Sequence, residues 1–181
     1  MPPRNLAVLC VGVLAMFLGG CERAAQVDAP NHLATDAVAF DYPGNWTVQK
    51  NEMQPTGRYL QICSPGAAVA MIRIFSPKMA FDLKNYAHSV GEKMTQDFAH
   101  SKVMSQGQPM TYTDVAKGKE HGVDLRYSVK VANVDVPHTM KIREWHIGSA
   151  RVLTTVQVAD KHAFQAQPGF DLITSTLKPY R

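Results

Sequence analysis

Glu144 and His146 come closest to a metal site by type and spacing, because they stand two positions apart in an alternating segment. Side chains at this spacing on a β-strand share one face of the sheet. His138, across the preceding turn, would add a third ligand of the kind that zinc prefers. Alternating polar residues on a solvent-facing strand also produce such pairs by chance. We therefore predict no metal, cofactor or catalytic set, and keep a metal-dependent enzyme as an alternative.

The other reactive side chains form no catalytic motif. The sequence contains no Gly-x-Ser-x-Gly, Ser-x-x-Lys or His-Glu-x-x-His segment and no glycine-rich phosphate loop. Cys63 lies in an apolar run and is predicted to be a buried strand thiol, not a nucleophile. His88 and His100 are predicted to be solvated beside a helix, and His121 opens a strand without a visible partner. These patterns favour a protein that is not an enzyme.

Composition indicates a folded globular protein with a mixed surface. Of the 181 residues, 45% are hydrophobic and 19% are charged, and the formal net charge is +4. These values separate the chain from disordered proteins. Basic residues are interleaved with acidic ones, as Lys141 and Arg143 are with Glu144, so we predict no nucleic-acid partner. The nine methionines are dispersed and are predicted mainly to fill gaps in the core.

The N-terminal segment predicts export. Arg4 supplies a positive charge, and an apolar stretch of 13 residues follows from Leu6 to Leu18. Such a stretch is too short to span about 30 Å of hydrocarbon, which takes roughly 20 helical residues. The pattern is typical of a signal peptide, which we assign to residues 1–20.

The segment Leu18-Gly19-Gly20-Cys21 resembles the lipobox of bacterial lipoproteins, in which an aliphatic residue and two small residues precede a cysteine. The resemblance implies that signal peptidase recognises Leu18, Gly19 and Gly20, and that acyl chains such as palmitate are attached to Cys21. Several acyl chains together anchor a protein durably to a membrane. In enterobacterial lipoproteins, an Asp directly after the cysteine favours retention in the inner membrane. This chain has Glu22 at that position, so we predict an outer-membrane lipoprotein that faces the periplasm.

The mature chain is predicted to consist of a tether and one domain. Residues 21–36, which carry the modified cysteine, are mostly small and polar and show no periodicity. A flexible tether of ~15 residues has an average span of roughly 20 Å. Residues 37–181 carry the apolar patterns of a single domain.

Alternating apolar and polar residues predict most of the strands. The strictest alternation, Val123–Val131, indicates a strand with one buried and one solvated face. Other strands are predicted at Val38–Tyr42, from Trp46, and at Tyr59–Cys63, Ala68–Phe75, Val103–Tyr112, Thr139–Ile147 and Val152–Val158. The Val103–Tyr112 candidate is broken by Gly107 and Pro109. An apolar stripe from Leu83 to Phe98 predicts a helix with Asp82 as N-cap, and a second helix is predicted to begin at Pro168. This order indicates an α+β fold, with helices on a mostly antiparallel sheet.

The segment Phe40–Val48, FDYPGNWTV, resembles the opening of domains in the PsbP-like superfamily, which includes DcrB-type bacterial lipoproteins. Phe170–Leu177 resembles the closing helix of the same superfamily. The resemblance implies an α/β/α sandwich over residues 37–179, in which Tyr42, Pro43 and Trp46 are architectural and Trp46 anchors the first hairpin. It implies no catalytic residue and no single activity, because one fold serves many functions.

Two noncatalytic functions fit this organisation. The first, which we favour, is a binding or assembly module that docks another envelope protein and therefore exposes an apolar patch. The alternative is a periplasmic carrier or receptor for a small or lipidic ligand, which requires a concave apolar pocket.

Overall fold

The structure is a computed structural model that describes residues 23–75, 82–101, 104–117 and 120–180. The predicted signal peptide and Cys21 lie outside these residues. The helices are α1 (Leu83–His100) and α2 (Ala163–Thr176). The strands are β1 (Asn31–Ala34), β2 (Val38–Tyr42), β3 (Thr47–Gln54), β4 (Gly57–Cys63), β5 (Val69–Phe75), β6 (Met104–Gln106), β7 (Thr111–Lys117), β8 (Glu120–Val131), β9 (Val134–Ile147), β10 (Ala150–Ala159) and β11 (Lys178–Pro179).

Eight of these strands form an antiparallel main sheet in the order β3-β4-β5-β10-β9-β8-β6, and β7 also pairs with β8. α1 packs on the face that carries Val123 and Leu125, which we call the α1 face. α2 packs on the opposite face, which carries Leu60 and Val152 and which we call the α2 face. The smaller sheet β1-β2-β11 joins α2 there. The predicted α+β fold, with helices on a mostly antiparallel sheet, is confirmed.

The core of the α2 face is built around aromatic side chains. Phe40 and Ile173 are fully buried, and Trp46 is only 3% exposed. The rings of Trp46 and Phe170 meet edge to face with 5.3 Å between centroids, an arrangement favoured by the ring quadrupoles. Trp46 therefore anchors the first hairpin in the core, as the family resemblance implies.

The α1 face is covered by the apolar stripe of α1. Leu83, Ala87 and Met94 are buried against the sheet, in agreement with the predicted stripe. Asp82 caps the helix, because its side chain accepts a hydrogen bond from the Asn85 N–H at 2.9 Å. The cap satisfies one of the N–H groups that an α-helix leaves unpaired at its start.

α2 begins at Ala163, five residues before the Pro168 start that the sequence predicted. A 3₁₀ turn at Asp160–His162 leads directly from β10 into the helix. Pro168 has no N–H to donate to the Phe164 carbonyl one turn earlier. The next carbonyl, that of Gln165, accepts a hydrogen bond from the Ala25 N–H at 3.0 Å. This hydrogen bond joins the turn on the N-terminal side of the proline to the N-terminal segment.

The segment predicted to be a tether has regular structure in its second half. β1 pairs with β2 in register, with Leu33 opposite Phe40. Upstream of β1, Gln26 is held twice: its N–H donates to Asn45 Oδ1 at 2.9 Å, and its carbonyl accepts from Gly44 N–H at 2.9 Å. Residues 24–34 are therefore part of the folded domain, because their backbone hydrogen bonds find partners on it.

A break separates β6 from β7, and a tight turn separates β8 from β9. Val103–Tyr112 was predicted as a strand candidate with a break, and the structure has two separate strands there, β6 and β7, which both pair with β8. The break spans Gly107 and Pro109, residues that interrupt strands. The hairpin between β8 and β9 turns at Ala132 and Asn133, whose φ angles of 47° and 64° are those of a tight two-residue turn.

Candidate functional site

A group of ionisable side chains on the α1 face lies where β9 ends and β10 begins. It consists of Glu144 and His146 on β9, His121 on β8 and Arg151 on β10, and we call it the Glu144 cluster. Glu144 is directly opposite His121, and His146 is directly opposite Arg151. Direct cross-strand pairs have Cβ atoms about 5 Å apart, so the sheet register alone brings these four side chains together.

Glu144 is the centre of the cluster and is nearly inaccessible, with a side chain that is 5% exposed. Arg151 Nε donates a hydrogen bond to Glu144 Oε1. His121 Nδ1 lies 3.1 Å from the other carboxylate oxygen, Oε2. His146 Nε2 is 3.9 Å from Oε1, and both histidine side chains are mostly solvent-exposed. A buried carboxylate is thus joined to the surface through two imidazole rings.

Opposing effects act on the pKa of Glu144. Burial, the largest, raises the pKa, whereas the hydrogen bond and positive charge of Arg151, with smaller contributions from His121 and His146, lower it. The combined favourable interactions prevail, and the pKa lies below the ordinary value. Glu144 is therefore ionised at neutral pH, and its charge is balanced by Arg151 within the fold.

The three residues weighed as zinc ligands are not brought together. Glu144 and His146 do share a face, as their spacing predicted. His138 lies near the other end of β9, where its ring stacks on Tyr127 with 5.3 Å between centroids and its Nδ1 donates to the Val136 carbonyl at 2.8 Å. Glu144 lies six positions further along the strand, at a distance of about 20 Å. In the described ranges, no group of three or more His, Cys, Asp or Glu side chains is arranged to hold a metal.

The sequence did not reveal Arg151 as part of this site. Arg151 is one of several basic residues in strands, and its role depends on the β9–β10 register. His121, for which the sequence showed no partner, contacts Glu144 across 23 positions of chain. The sequence carried one indication of the site. Glu144 is a charged residue at a position of an alternating strand where the pattern predicts a buried side chain.

A second polar group on the α1 face surrounds Arg73 on β5. Its guanidinium carbon lies 5.1 Å from the centroid of the Tyr59 ring, within the range of a cation–π contact. Arg73 and Thr155 both form hydrogen bonds with Tyr86 of α1, while burial raises the pKa of the Tyr86 hydroxyl. Among the described residues, no carboxylate forms an ion pair with Arg73. We call this group the Arg73 cluster.

The remaining sequence candidates have structural surroundings of their own. Cys63, predicted to be buried, is half-buried at the end of β4, and Gln61 Nε2 donates to its Sγ at 3.4 Å. His88 lies within α1 and is exposed, but its ring stacks on Tyr112 with 4.1 Å between centroids. His100 is exposed in the last turn of α1.

Exposed apolar side chains lie at both ends of the main sheet. Met53 is 62% exposed, and the register connects its end of β3 through β4 and β5 to Arg151. Tyr180, half exposed, follows Pro179, which lies beside Gly148 at the same end. Phe164 is exposed at the opposite end, just beyond the end of β10. We call the first the Glu144 end and the second the α2 start.

No described helix combines the length and hydropathy needed to cross a membrane. No family model matches the sequence, and no curated protein matches it.

Solved structures resemble the fold at low sequence identity. Cyanobacterial PsbP, CyanoP, from Synechocystis sp. PCC 6803 has a TM-score of 0.50 and 14% identity, over 90% of this chain and 99% of that chain. The Ran-binding protein Mog1p of Saccharomyces cerevisiae has a TM-score of 0.43 and 11% identity, over 82% and 95%. LpqN of Mycobacterium tuberculosis, involved in cell envelope biogenesis, has a TM-score of 0.38 and 10% identity, over 84% and 90%. The likeness to CyanoP shows that the domain has a PsbP-like fold.

Proposed function

We propose that the protein is a lipoprotein, anchored through acyl chains on Cys21, that serves as a noncatalytic binding or assembly module for another protein of the cell envelope. The anchor is expected in the outer membrane, with the domain in the periplasm. The lipobox segment before Cys21 supports the anchor. The N-terminal segment is hydrogen-bonded to the domain from Ala24 onward. This supports a module that is attached to the membrane by a short connection and keeps a defined surface free for a partner.

The observation that carries the proposal is the position of the Glu144 end relative to this attachment. The attachment lies beside α2 near Gln165, whereas the Glu144 end lies at the other end of the strands. It offers an exposed Met53, a half-exposed Tyr180 and the accessible rings of His121 and His146. Aromatic residues, methionine and arginine are enriched in protein interfaces, so this surface is suited to receive a protein partner.

Intact-mass analysis of the protein purified from membranes tests the anchor. A chain that begins at Cys21 and carries added acyl mass is the expected result. A Cys21→Ser variant is expected to lack the acyl mass and to leave the membrane fraction. A wild-type chain with no acyl mass would contradict the anchor.

Site-specific photocrosslinking tests the docking surface. A benzoylphenylalanine is placed at Tyr180 in the full chain, and the control carries it at Asp171, which is exposed on the outer side of α2. One protein adduct of defined mass is expected from Tyr180, absent from Asp171 and weakened by the Cys21→Ser substitution. Equal adducts at both positions, or none, would remove the Glu144 end as the docking surface.

The Arg73 cluster favours a second candidate, a carrier of a small anionic ligand. The guanidinium of Arg73 is partly buried and forms no ion pair with a carboxylate among the described residues, so an anion that enters beside it would gain a charge-assisted contact. Thermal unfolding with and without 10-fold steps of acetate or phosphate tests this candidate. Stabilisation that disappears in Arg73→Gln supports a carrier, and identical shifts in both chains argue against it.

A further inference from the structure

Phe164 is the most exposed large hydrophobic side chain among the described residues, at 89%. Its position in α2 explains the exposure. Ala166 and Phe170 lie on the inner side of the helix and are buried in the core of the α2 face. Phe164 and Pro168 lie on the outer side, where both are exposed. The helix thus presents Phe164 to the solvent, outside the apolar core that the described residues form on the α2 face.

The N-terminal segment runs beside this same turn. Ala25 packs into the edge of the α2-face core, and its N–H donates to the carbonyl of Gln165, the neighbour of Phe164. Gly169, one turn further along, approaches so closely that an added Cβ would lie 3.0 Å from Ala25 Cβ. The start of the described chain is therefore fixed next to Phe164.

The short distance between Ala25 and Cys21 limits how the domain can be oriented relative to the membrane. Cys21 precedes Ala25 by four residues, which span at most about 14 Å when fully extended. Cys21, the residue proposed to carry the acyl chains, therefore lies within that distance of Ala25. A free tether of ~15 residues would permit every orientation, whereas this short connection brings the α2 start to the membrane surface.

We propose that the first turn of α2 rests on the bilayer and that Phe164 inserts among the lipid acyl chains. The proposal deepens the proposed function and rests on its lipid anchor. An aromatic ring is well suited to the boundary between headgroups and acyl chains. Arg23 and Lys161, both exposed nearby along the chain, bring positive charge to anionic headgroups. Asp160 offsets one of these charges and is held by the hydroxyl of Thr139, which donates to it at 2.9 Å.

A second exposed apolar side chain, Val27 in the N-terminal segment, fits this arrangement. Val27 follows Gln26, which is hydrogen-bonded to the domain, and is exposed. Together with Phe164 it gives the attachment region two exposed large hydrophobic side chains. The Glu144 end, with Met53 and Tyr180, is turned away from the bilayer and remains open to the protein partner.

Photocrosslinking in intact membranes tests the proposal. The full chain carries benzoylphenylalanine in place of Phe164 or, as the matched control, in place of Met53, which is also mostly exposed but lies at the Glu144 end. After irradiation, intact mass shows both the acyl mass on Cys21 and any phospholipid adduct. We expect about a tenfold excess of phospholipid adduct at position 164, because burial of one phenylalanine favours the inserted orientation by at least that factor.

Each outcome decides one claim. Phospholipid adducts at 164 and few at 53 support insertion. An acylated chain with no phospholipid adduct at 164, with equal adducts at both positions, or with a protein adduct at 164 overturns the insertion of Phe164 and leaves the anchor standing. A chain without acyl mass overturns the anchor and the insertion together.

Discussion

The two faces of the main sheet differ in what they bury. The α2 face encloses Trp46, Phe170 and a continuous set of aliphatic side chains, and the small sheet closes over them. The α1 face also has an apolar core, but it contains the buried or partly buried polar side chains of the Glu144 cluster, the Arg73 cluster and His138. The core of the α2 face is therefore held by apolar packing, whereas the α1 face also depends on the protonation state of its ionisable side chains and on their hydrogen bonds and ion pairs.

The largest expected effect is on the α2 face. Phe170→Ala removes a ring that contacts Trp46 and is expected to lower the free energy of unfolding by about 3–5 kcal/mol. Phe164→Ala, an exposed phenylalanine in the same helix, is the control and should change it by less than about 0.5 kcal/mol. Urea unfolding measures both. Similar losses for the two variants would contradict the aromatic core.

Removal of the main partner of Glu144 is expected to have the next largest effect. Arg151→Met leaves a carboxylate that is 5% exposed without its strongest hydrogen bond, which should cost about 1–3 kcal/mol. The control is Arg58→Met, because its partner Asp36 is mostly exposed and such surface pairs contribute about 0–1 kcal/mol. Urea unfolding at pH 7 compares them. Equal losses would mean that Glu144 is solvated.

Acid should destabilise the α1 face through Glu144. Its folded pKa lies below the ordinary value of 4.5, so the ionised carboxylate binds fewer protons in the folded state than in the unfolded state. Its contribution is present above pH 4.5 and is lost as the pH falls through the folded pKa. Glu144→Gln should therefore show a shallower decline in stability from pH 5 to pH 3 than the wild type. Parallel declines in urea midpoints would contradict this.

The smallest expected effect comes from His138. Burial lowers its pKa below the ordinary 6.5 and outweighs the Val136 carbonyl and Asp160, which raise it. The ring is neutral in the fold, so its contribution is full above pH 6.5 and is lost as the pH falls through the lowered pKa. His138→Phe keeps an aromatic ring beside Tyr127 and should flatten the stability profile between pH 7 and pH 5. Urea unfolding at pH 7 and at pH 5 measures the wild type and the variant, and parallel declines in stability would contradict the neutral buried ring.

Much of the fold could be predicted because its signals are local. The alternation in Val123–Val131 reports one buried face and lies within β8, and the apolar stripe of α1 reports the same for a helix. The start of α2 was wrong because Pro168 suits a first turn, while the hydrogen bond from Ala25 to Gln165 depends on a segment more than a hundred residues away. The structure of residues 24–34 was missed for a similar reason, since β1 exists only through its pairing with β2.

The candidate site was predictable only in part. The spacing of Glu144 and His146 places them on one face of a strand. The additions of His121 and Arg151 follow from the pairing of β9 with β8 and β10, and pairing partners leave no mark in a single sequence. His138 is too far from Glu144 to share a metal with it, because the two are six positions apart on an extended strand. This distance could have been calculated from the sequence.

The order of the main sheet also bears on how the chain folds. β3, β4 and β5 are joined by short connections, as are β8, β9 and β10, so each group forms an antiparallel meander from contacts close in sequence. Among the described strands, the two meanders are hydrogen-bonded to each other where β5 pairs with β10, a contact that brings Phe75 beside Arg151. Closing so long a loop costs more chain entropy than a hairpin does, and contacts of this kind slow folding. The pairing of β5 with β10 is therefore expected to form last. The core of the α2 face contains residues from both meanders and is expected to stabilise this pairing.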